Sequence, residues 1–249
     1  MMYPSDQAGC GASRNGIEDP KTDGHDFLLT VEYYVSELKE IVDHLHLVHY
    51  FVYGSSWGTA LAQEFAVLQP KGLRGLILDG AFSDSQYYSE CQWKELLCSL
   101  PTCTQAYLKK LTDEERFECK GYKIMNKFLS PQFTCRQLPP PLCYLNSDLG
   151  ENKIIYTAMQ GASEFCVGGV LKNWSIVDRL HLVKVPVLVV RGEFDTMTES
   201  CSLQVVHNLP FAWPLVCIPR AGHCKLCDEP QICCKEFLKF LTTVDAPIT

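Results

Sequence analysis

The sequence predicts an α/β fold with a mostly parallel sheet, because short apolar runs alternate with helical patterns along the chain. Such alternation builds parallel strands joined by right-handed crossovers. A second observation is a stretch, residues 84–180, with several short helical patterns and no convincing strand. We therefore predict a first part of the core over 1–83, a helical cap over 84–180 and a second part of the core over 181–249.

The early elements follow from local patterns. Thr30 can cap a helix whose apolar residues, from Val31 to Leu45, recur at helical spacing. An apolar and aromatic run over 47–53 predicts a strand, and the helix after it should stop before Pro70. Residues 73–78 predict a short buried strand.

The late elements restore the alternation after the cap. The continuous apolar run over 185–190 is typical of a strand covered on both faces. A last strand is predicted near 215–218, and a closing amphipathic helix near 229–241.

Bulk composition excludes several classes of function. The 249 residues are 47% hydrophobic, enough for a sizeable core, and the net charge of −7 argues against a nucleic-acid partner. No apolar run is long enough to span a membrane, and the first residues lack the pattern of a signal peptide. The fourteen cysteines then predict free thiols in a reducing, cytoplasmic compartment. Cys224-x-x-Cys227 fits no common zinc template, so we expect neither a metal nor another cofactor.

The motif Gly54-Ser55-Ser56-Trp57-Gly58 stands between the predicted strand and the helix that follows it. This is the setting of a nucleophile elbow, in which a tight turn admits only small residues and lifts the serine clear of the sheet. The pattern predicts Ser56 as a nucleophile and the Trp57 backbone N–H as an oxyanion donor.

An elbow serine needs a base and a group that orients the base. In this type of sheet the partners follow in the order Ser, Asp or Glu, His, each after a strand. Asp195 follows one late strand and His223 follows the next. We predict a catalytic triad of Ser56, Asp195 and His223 that transfers an acyl group from an amide or ester to water.

These motifs resemble those of the proline iminopeptidases, which have the α/β-hydrolase fold with a helical cap. The loop Asp6-Gln7-Ala8-Gly9-Cys10-Gly11-Ala12-Ser13 is similar to the family's D-Q-x-G-C-G-x-S segment. Further similar segments are the Thr30 helix start, the elbow, residues 160–165 and 171–174 in the cap, and the Asp195 and His223 turns.

The resemblance implies release of an N-terminal residue, preferably proline, from short peptides with a free N-terminus. It places Glu164 at the cap glutamate that binds the substrate amine. Some members carry a second glutamate directly after the catalytic aspartate, where this chain has Thr196, and we expect the neighbouring Glu193 to point away.

The family also carries an H-G-G-P-G loop, preceded by about three strands, ahead of the D-Q-x-G-C-G segment. This sequence starts just before that segment, so we expect an N-terminally truncated gene product or an incomplete gene model. Two alternatives to the aminopeptidase stay open. One is an amino-acid amide or small-ester hydrolase, suggested by Thr196. The other is a truncated family member without activity.

Overall fold

A computed structural model describes residues 2–246; Met1 and residues 247–249, the ends of the predicted core segments, lie outside the described residues. The sheet has four parallel strands in chain order: β1 Tyr50–Ser55, β2 Leu73–Asp79, β3 Val187–Gly192 and β4 Val216–Ile218. This confirms the predicted parallel α/β architecture. β3 begins two residues later than the apolar run because Pro186 has no N–H for the ladder.

The helices are α1 Val31–His44, α2 Trp57–Val67, α3 Ser85–Cys91, α4 Thr102–Asp113, α5 Lys120–Phe133, α6 Leu142–Gly150, α7 Lys153–Met159, α8 Glu199–Asn208, α9 Lys225–Asp228 and α10 Pro230–Val244. Thr30 caps α1 as predicted, since its side chain accepts a hydrogen bond from Tyr33 N at 3.2 Å. α2 ends at Val67, ahead of Pro70.

Side chains of the central strands alternate between two apolar clusters. Leu76 and Leu78 of β2 pack in the cluster that α1, α2 and α8 also enter, whereas Ile77 packs with α10 on the other face. All six residues of β3 are buried. A strand covered on both faces explains the unbroken apolar run that predicted it.

Helices α3 to α7 lie between β2 and β3 and form the predicted helical insertion. Helices α4 and α5 pack with Leu97 and Phe165 in an apolar cluster separate from the two on the sheet. Apart from isolated bridges, the described residues between β2 and β3 include no strand. The exact division at residues 83 and 180 stays a prediction.

One buried side chain joins the N-terminal loop to the cap. Asn152 is 2% exposed; its Nδ2 donates to Gly9 O at 3.1 Å, and its Oδ1 accepts from Ile154 N at 3.1 Å and from Ile155 N at 3.3 Å. The same side chain therefore caps α7 and, through its hydrogen bond to Gly9 O, fixes the loop that carries the D-Q-x-G-C-G motif.

We predict that Asn152→Ala lowers the free energy of unfolding by about 2 kcal/mol, because it removes a cap and leaves buried backbone groups unpaired. Urea unfolding measures the difference. Asn208→Ala is the matched control: this exposed side chain bonds only within its own helix, so a change below about 0.5 kcal/mol is expected. Equal losses in the two variants would contradict the role of Asn152.

Candidate active site

Ser56 stands at the turn between β1 and α2 with φ 53° and ψ −123°, a conformation that costs a non-glycine residue energy. Its N–H donates to Asp79 O at the end of β2. A Cβ on Gly54 would overlap the carbonyl oxygen of Gly58, so the turn requires a glycine there. The structure thus forms the sharp strand-to-helix turn that the motif predicts.

Asp195 is fully buried after β3, and each of its oxygens accepts two hydrogen bonds. Oδ1 accepts from His223 Nδ1 at 2.7 Å and from Met197 N at 3.0 Å. Oδ2 accepts from Lys225 Nζ at 2.6 Å and from Gly192 N at 3.2 Å. A proton on Nδ1 leaves Nε2 of the imidazole free to accept one. The structure brings these two predicted site residues together.

The charges around this pair oppose the effect of burial. Burial alone would raise the pKa of Asp195, but Lys225 and His223 outweigh it and hold that pKa well below its ordinary value. Burial alone would lower the pKa of His223, but the carboxylate of Asp195 outweighs it and raises that pKa above 6.5. The imidazole is therefore a stronger base than a free histidine.

The cap holds the backbone of the histidine loop. His223 N donates to Phe133 O at 2.8 Å, and Cys224 N donates to Thr134 O at 2.7 Å. On the sheet side, a Cβ on Gly80 would lie 2.8 Å from Cε1 of the imidazole. The ring is thus enclosed between the end of β2 and the loop after α5.

A cavity of about 130 Å³ opens beside the elbow and is lined by both Ser56 and Glu164. Glu164 Oε1 accepts from Tyr156 OH at 2.8 Å. Its Oε2 is buried and has no hydrogen-bond partner among the described residues. The carbonyl oxygen of Glu164 accepts from Tyr88 OH and Gln92 Nε2, which fixes the backbone at this position.

Thr196 and Glu193, which lie near Asp195 in the sequence, differ in exposure, and Glu193 points away as expected. Thr196 is buried, and its hydroxyl lies 3.3 Å from Met197 Sδ. Glu193 is exposed and accepts from Arg220 N at 2.7 Å, so it points away from the cavity. A larger cavity of about 570 Å³ lies elsewhere on the cap, and none of the predicted site residues lines it.

Ser56 and His223 both lie at the carboxyl edge of the sheet. Ser56 N donates to Asp79 O, and the next residue, Gly80, lies so near the imidazole that an added Cβ would be 2.8 Å from its Cε1. No hydrogen bond joins Ser56 Oγ to the imidazole in the part of the chain that the structure describes; such bonds often tighten only once substrate is bound. The catalytic roles of Ser56, Asp195 and His223, and of the Trp57 N–H, stay predictions.

Sequence reasoning missed two charged residues at the site, Lys225 and Asp79. Lys225 lies two residues after His223, and Asp79 ends a buried strand. The signal that could have found them is a charged residue next to, or at the end of, a segment predicted to be buried.

No helix within residues 2–246 has both the length and the apolar character needed to cross a membrane. The same residues contain no group of three or more His, Cys, Asp or Glu side chains placed to hold a metal ion. The fourteen cysteines are free thiols.

The sheet, the elbow and the buried Asp–His pair define an α/β hydrolase. A family profile described as the alpha/beta hydrolase fold matches residues 5–92. A proline iminopeptidase of Thermoplasma volcanium is 26% identical over 95% of this chain and 77% of its own length. A proline iminopeptidase of Heyndrickxia coagulans is 30% identical over 91% of this chain and 76% of its own length. The crystal structure of a proline iminopeptidase from Mycobacterium smegmatis, 30% identical, matches 96% of this chain and 79% of its own with a TM-score of 0.84. The chain belongs to the proline iminopeptidase family, which confirms the resemblance carried by its motifs.

We predict that an alkyl fluorophosphonate, which reacts with activated serines, labels Ser56. Intact-mass analysis should show one phosphonyl group on the unmodified chain and none on Ser56→Ala. Ser55→Ala, which removes the adjacent elbow hydroxyl, is the matched control and should be labelled at an unchanged rate. Full labelling of Ser56→Ala would exclude Ser56 as the nucleophile.

The rate of this labelling should fall on the acid side with a midpoint above pH 6.5. His223 accepts a proton only when it is neutral, and the Asp195 carboxylate raises its pKa above that value. Labelling rates measured from pH 5 to 9 test this. A midpoint at or below 6.5 would contradict the raised pKa.

Proposed function

We propose that the protein is a serine aminopeptidase that releases an N-terminal residue, preferably proline, from short peptides through an acyl-enzyme. Ser56 Oγ attacks the first carbonyl carbon of the peptide while His223 Nε2 takes the hydroxyl proton. The Trp57 N–H donates to the developing oxyanion. His223 then protonates the departing amine, and water hydrolyses the ester with the same imidazole as base.

The observation that carries this proposal is the unpaired oxygen of Glu164. A buried carboxylate oxygen without a partner is costly, and a cationic amine would satisfy it through a charge-assisted hydrogen bond. The cavity that contains Glu164 also contains Ser56. A substrate whose free amine binds Glu164 would therefore present its first carbonyl to the serine.

The size and lining of the cavity support a single small apolar residue. A cavity of about 150 Å³ admits a benzene-sized ring, and this one is about 130 Å³. Its apolar lining comes from Tyr34, Trp57, Ile155, Met159 and Leu171. Such walls suit the pyrrolidine ring of proline.

A second candidate is a hydrolase of amino-acid amides or small esters. Thr196 favours it, because this neutral side chain stands where some family members place a second glutamate. With a single carboxylate near the amine, the protein would depend less on a free N-terminus. Wild-type turnover of N-acetylproline esters at rates comparable to those of prolyl arylamides would support this candidate.

We predict that Glu164→Gln lowers kcat/KM for a prolyl arylamide by about 10- to 100-fold, the equivalent of losing a hydrogen bond to a charged group. Turnover of an N-acetylproline ester, which lacks the cation, should be unchanged or improved. The control is Glu118→Gln, an exposed cap residue paired with Lys123, which should leave both substrates unaffected. Equal losses on both substrates would show that Glu164 does not recognise the amine.

A further inference from the structure

A buried lysine stands directly behind the Asp–His pair. Lys225 is 0% exposed and its Nζ contacts three acceptors: Asp195 Oδ2 at 2.6 Å, His223 O at 2.8 Å and Asp79 Oδ1 at 3.0 Å. A lysine is rarely buried in full, because removing the ammonium from water is expensive. An apolar side chain would fill the space at lower cost, so the contacts themselves need an explanation.

Two of these contacts belong to the histidine–aspartate unit. The bond to Oδ2 leaves Oδ1 for the imidazole, so the carboxylate of Asp195 cannot rotate without losing Lys225. The bond to the carbonyl of His223 fixes the backbone that carries the imidazole. Lys225 therefore sets the orientation of both groups at once.

An ammonium in this position also has an electrostatic disadvantage. A positive charge close to His223 disfavours the imidazolium that forms during proton transfer. Paired with Asp195 alone, Lys225 would neutralise the carboxylate on which the basicity of the imidazole depends.

Asp79 supplies the missing negative charge from the end of β2. Its Oδ1 forms an ion pair with Lys225 Nζ at 3.0 Å, and its Oδ2 accepts from Tyr53 OH at 2.8 Å. Asp79 is followed by Gly80, where an added Cβ would lie 2.8 Å from the imidazole Cε1 and 3.1 Å from Lys225 Nζ, so the end of β2 approaches both groups closely. Asp195, Asp79 and Lys225 together carry two negative charges and one positive charge. With a neutral His223, their net charge of −1 equals that of an Asp–His pair without the lysine.

We propose that Lys225 is a positioning residue for Asp195 and His223, and that Asp79 is its counter-charge, which allows the lysine to orient the pair without weakening the imidazole as a base. This inference rests on the proposed function, since it assigns His223 the role of base.

The other titratable groups that face this unit are not altered in the test. Burial raises the pKa of Tyr53, Tyr88 and Cys201 and contributes most to raising that of Cys233 to about 12, so these groups stay neutral near pH 7. Burial also raises the pKa of Cys224. Glu164 faces the imidazole from the cap and is present in every variant.

The test removes the two charges in sequence. Asp79→Asn keeps the shape of the side chain and removes its charge, which leaves Lys225 uncompensated. Asp79→Asn/Lys225→Met removes both charges and avoids an unpaired buried carboxylate. Asp113→Asn, which breaks an exposed ion pair with Lys109 on the cap, is the control for loss of one negative charge.

The direct measurement is NMR titration of the His223 imidazole in the resting protein, assigned with His223→Asn among the seven histidines. It needs no turnover. The acid limb of the fluorophosphonate labelling rate is the second readout.

We expect Asp79→Asn to lower the titration midpoint of His223 by about 0.5 to 1 pH unit, and to move the acid limb with it. The double variant should return the midpoint to within about 0.3 unit of the wild type, and should label more slowly at its plateau because Asp195 has lost its positioning contact. Asp113→Asn should shift nothing. If Lys225 and Asp79 only stabilised the fold, the His223 midpoint would not fall in Asp79→Asn and return in the double variant.

Two results would overturn the role of Asp79 as counter-charge: an unchanged midpoint in Asp79→Asn, or a double variant whose midpoint stays displaced. A double variant that labels at the wild-type plateau would overturn the positioning role of Lys225. If the imidazole shifts as expected while the acid limb of labelling does not follow it, Asp79 stands as the counter-charge of Lys225 and the role of His223 as base fails. The two hypotheses are thus separable.

Discussion

The buried carboxylate of Asp195 is the constraint on which the site depends. A charge removed from water must have its acceptor sites filled, and four groups fill them: His223 Nδ1, Met197 N, Lys225 Nζ and Gly192 N. These donors come from the end of β3, the turn after it, the loop that follows β4 and the first residue of α9. Satisfying one charge therefore determines the conformation of both late loops, and the imidazole is oriented as a consequence.

The sheet makes this convergence possible because neighbouring strands pair close to their carboxyl ends. Ser55 pairs with Asp79, and Asp79 pairs with Val190, so the elbow, the end of β2 and the aspartate turn meet at one edge. Close approach there requires residues without side chains. A Cβ on Gly192 would overlap the carbonyl oxygen of Gly222, and a Cβ on Gly80 would clash with the imidazole of His223. Small residues at strand ends thus allow large polar side chains to share a small space.

The sequence predicted those parts of the structure that depend on local patterns. The Thr30 cap, the elbow turn around Ser56, and the turns that place Asp195 and His223 after predicted strands each have a signature within a few residues. The contacts that complete the site have none. Lys225 and Asp79 meet only because the fold brings the start of α9 to the end of β2. The bond from His223 N to Phe133 O involves backbone atoms that every residue except proline provides. Similarly, the position of Glu164 followed from family resemblance, whereas its unpaired oxygen is visible only in three dimensions.

Two cations, the Lys225 ammonium and the amine of the proposed substrate, would lie near a histidine that must remain basic, and each has its own carboxylate. Lys225 is paired with Asp79 as well as with Asp195, so the negative charge of Asp79 offsets the positive charge of the ammonium and the charge of Asp195 is not cancelled. The substrate amine would be paired with Glu164, which itself raises the pKa of the imidazole. Without that glutamate, binding a cationic substrate would lower the basicity of His223 at the moment when proton transfer requires it. In the proposed mechanism Glu164 would therefore have two effects: its charge would bind the substrate amine and would also keep His223 basic during proton transfer. The neutral Thr196 is compatible with this balance, because one arriving cation needs only one compensating charge.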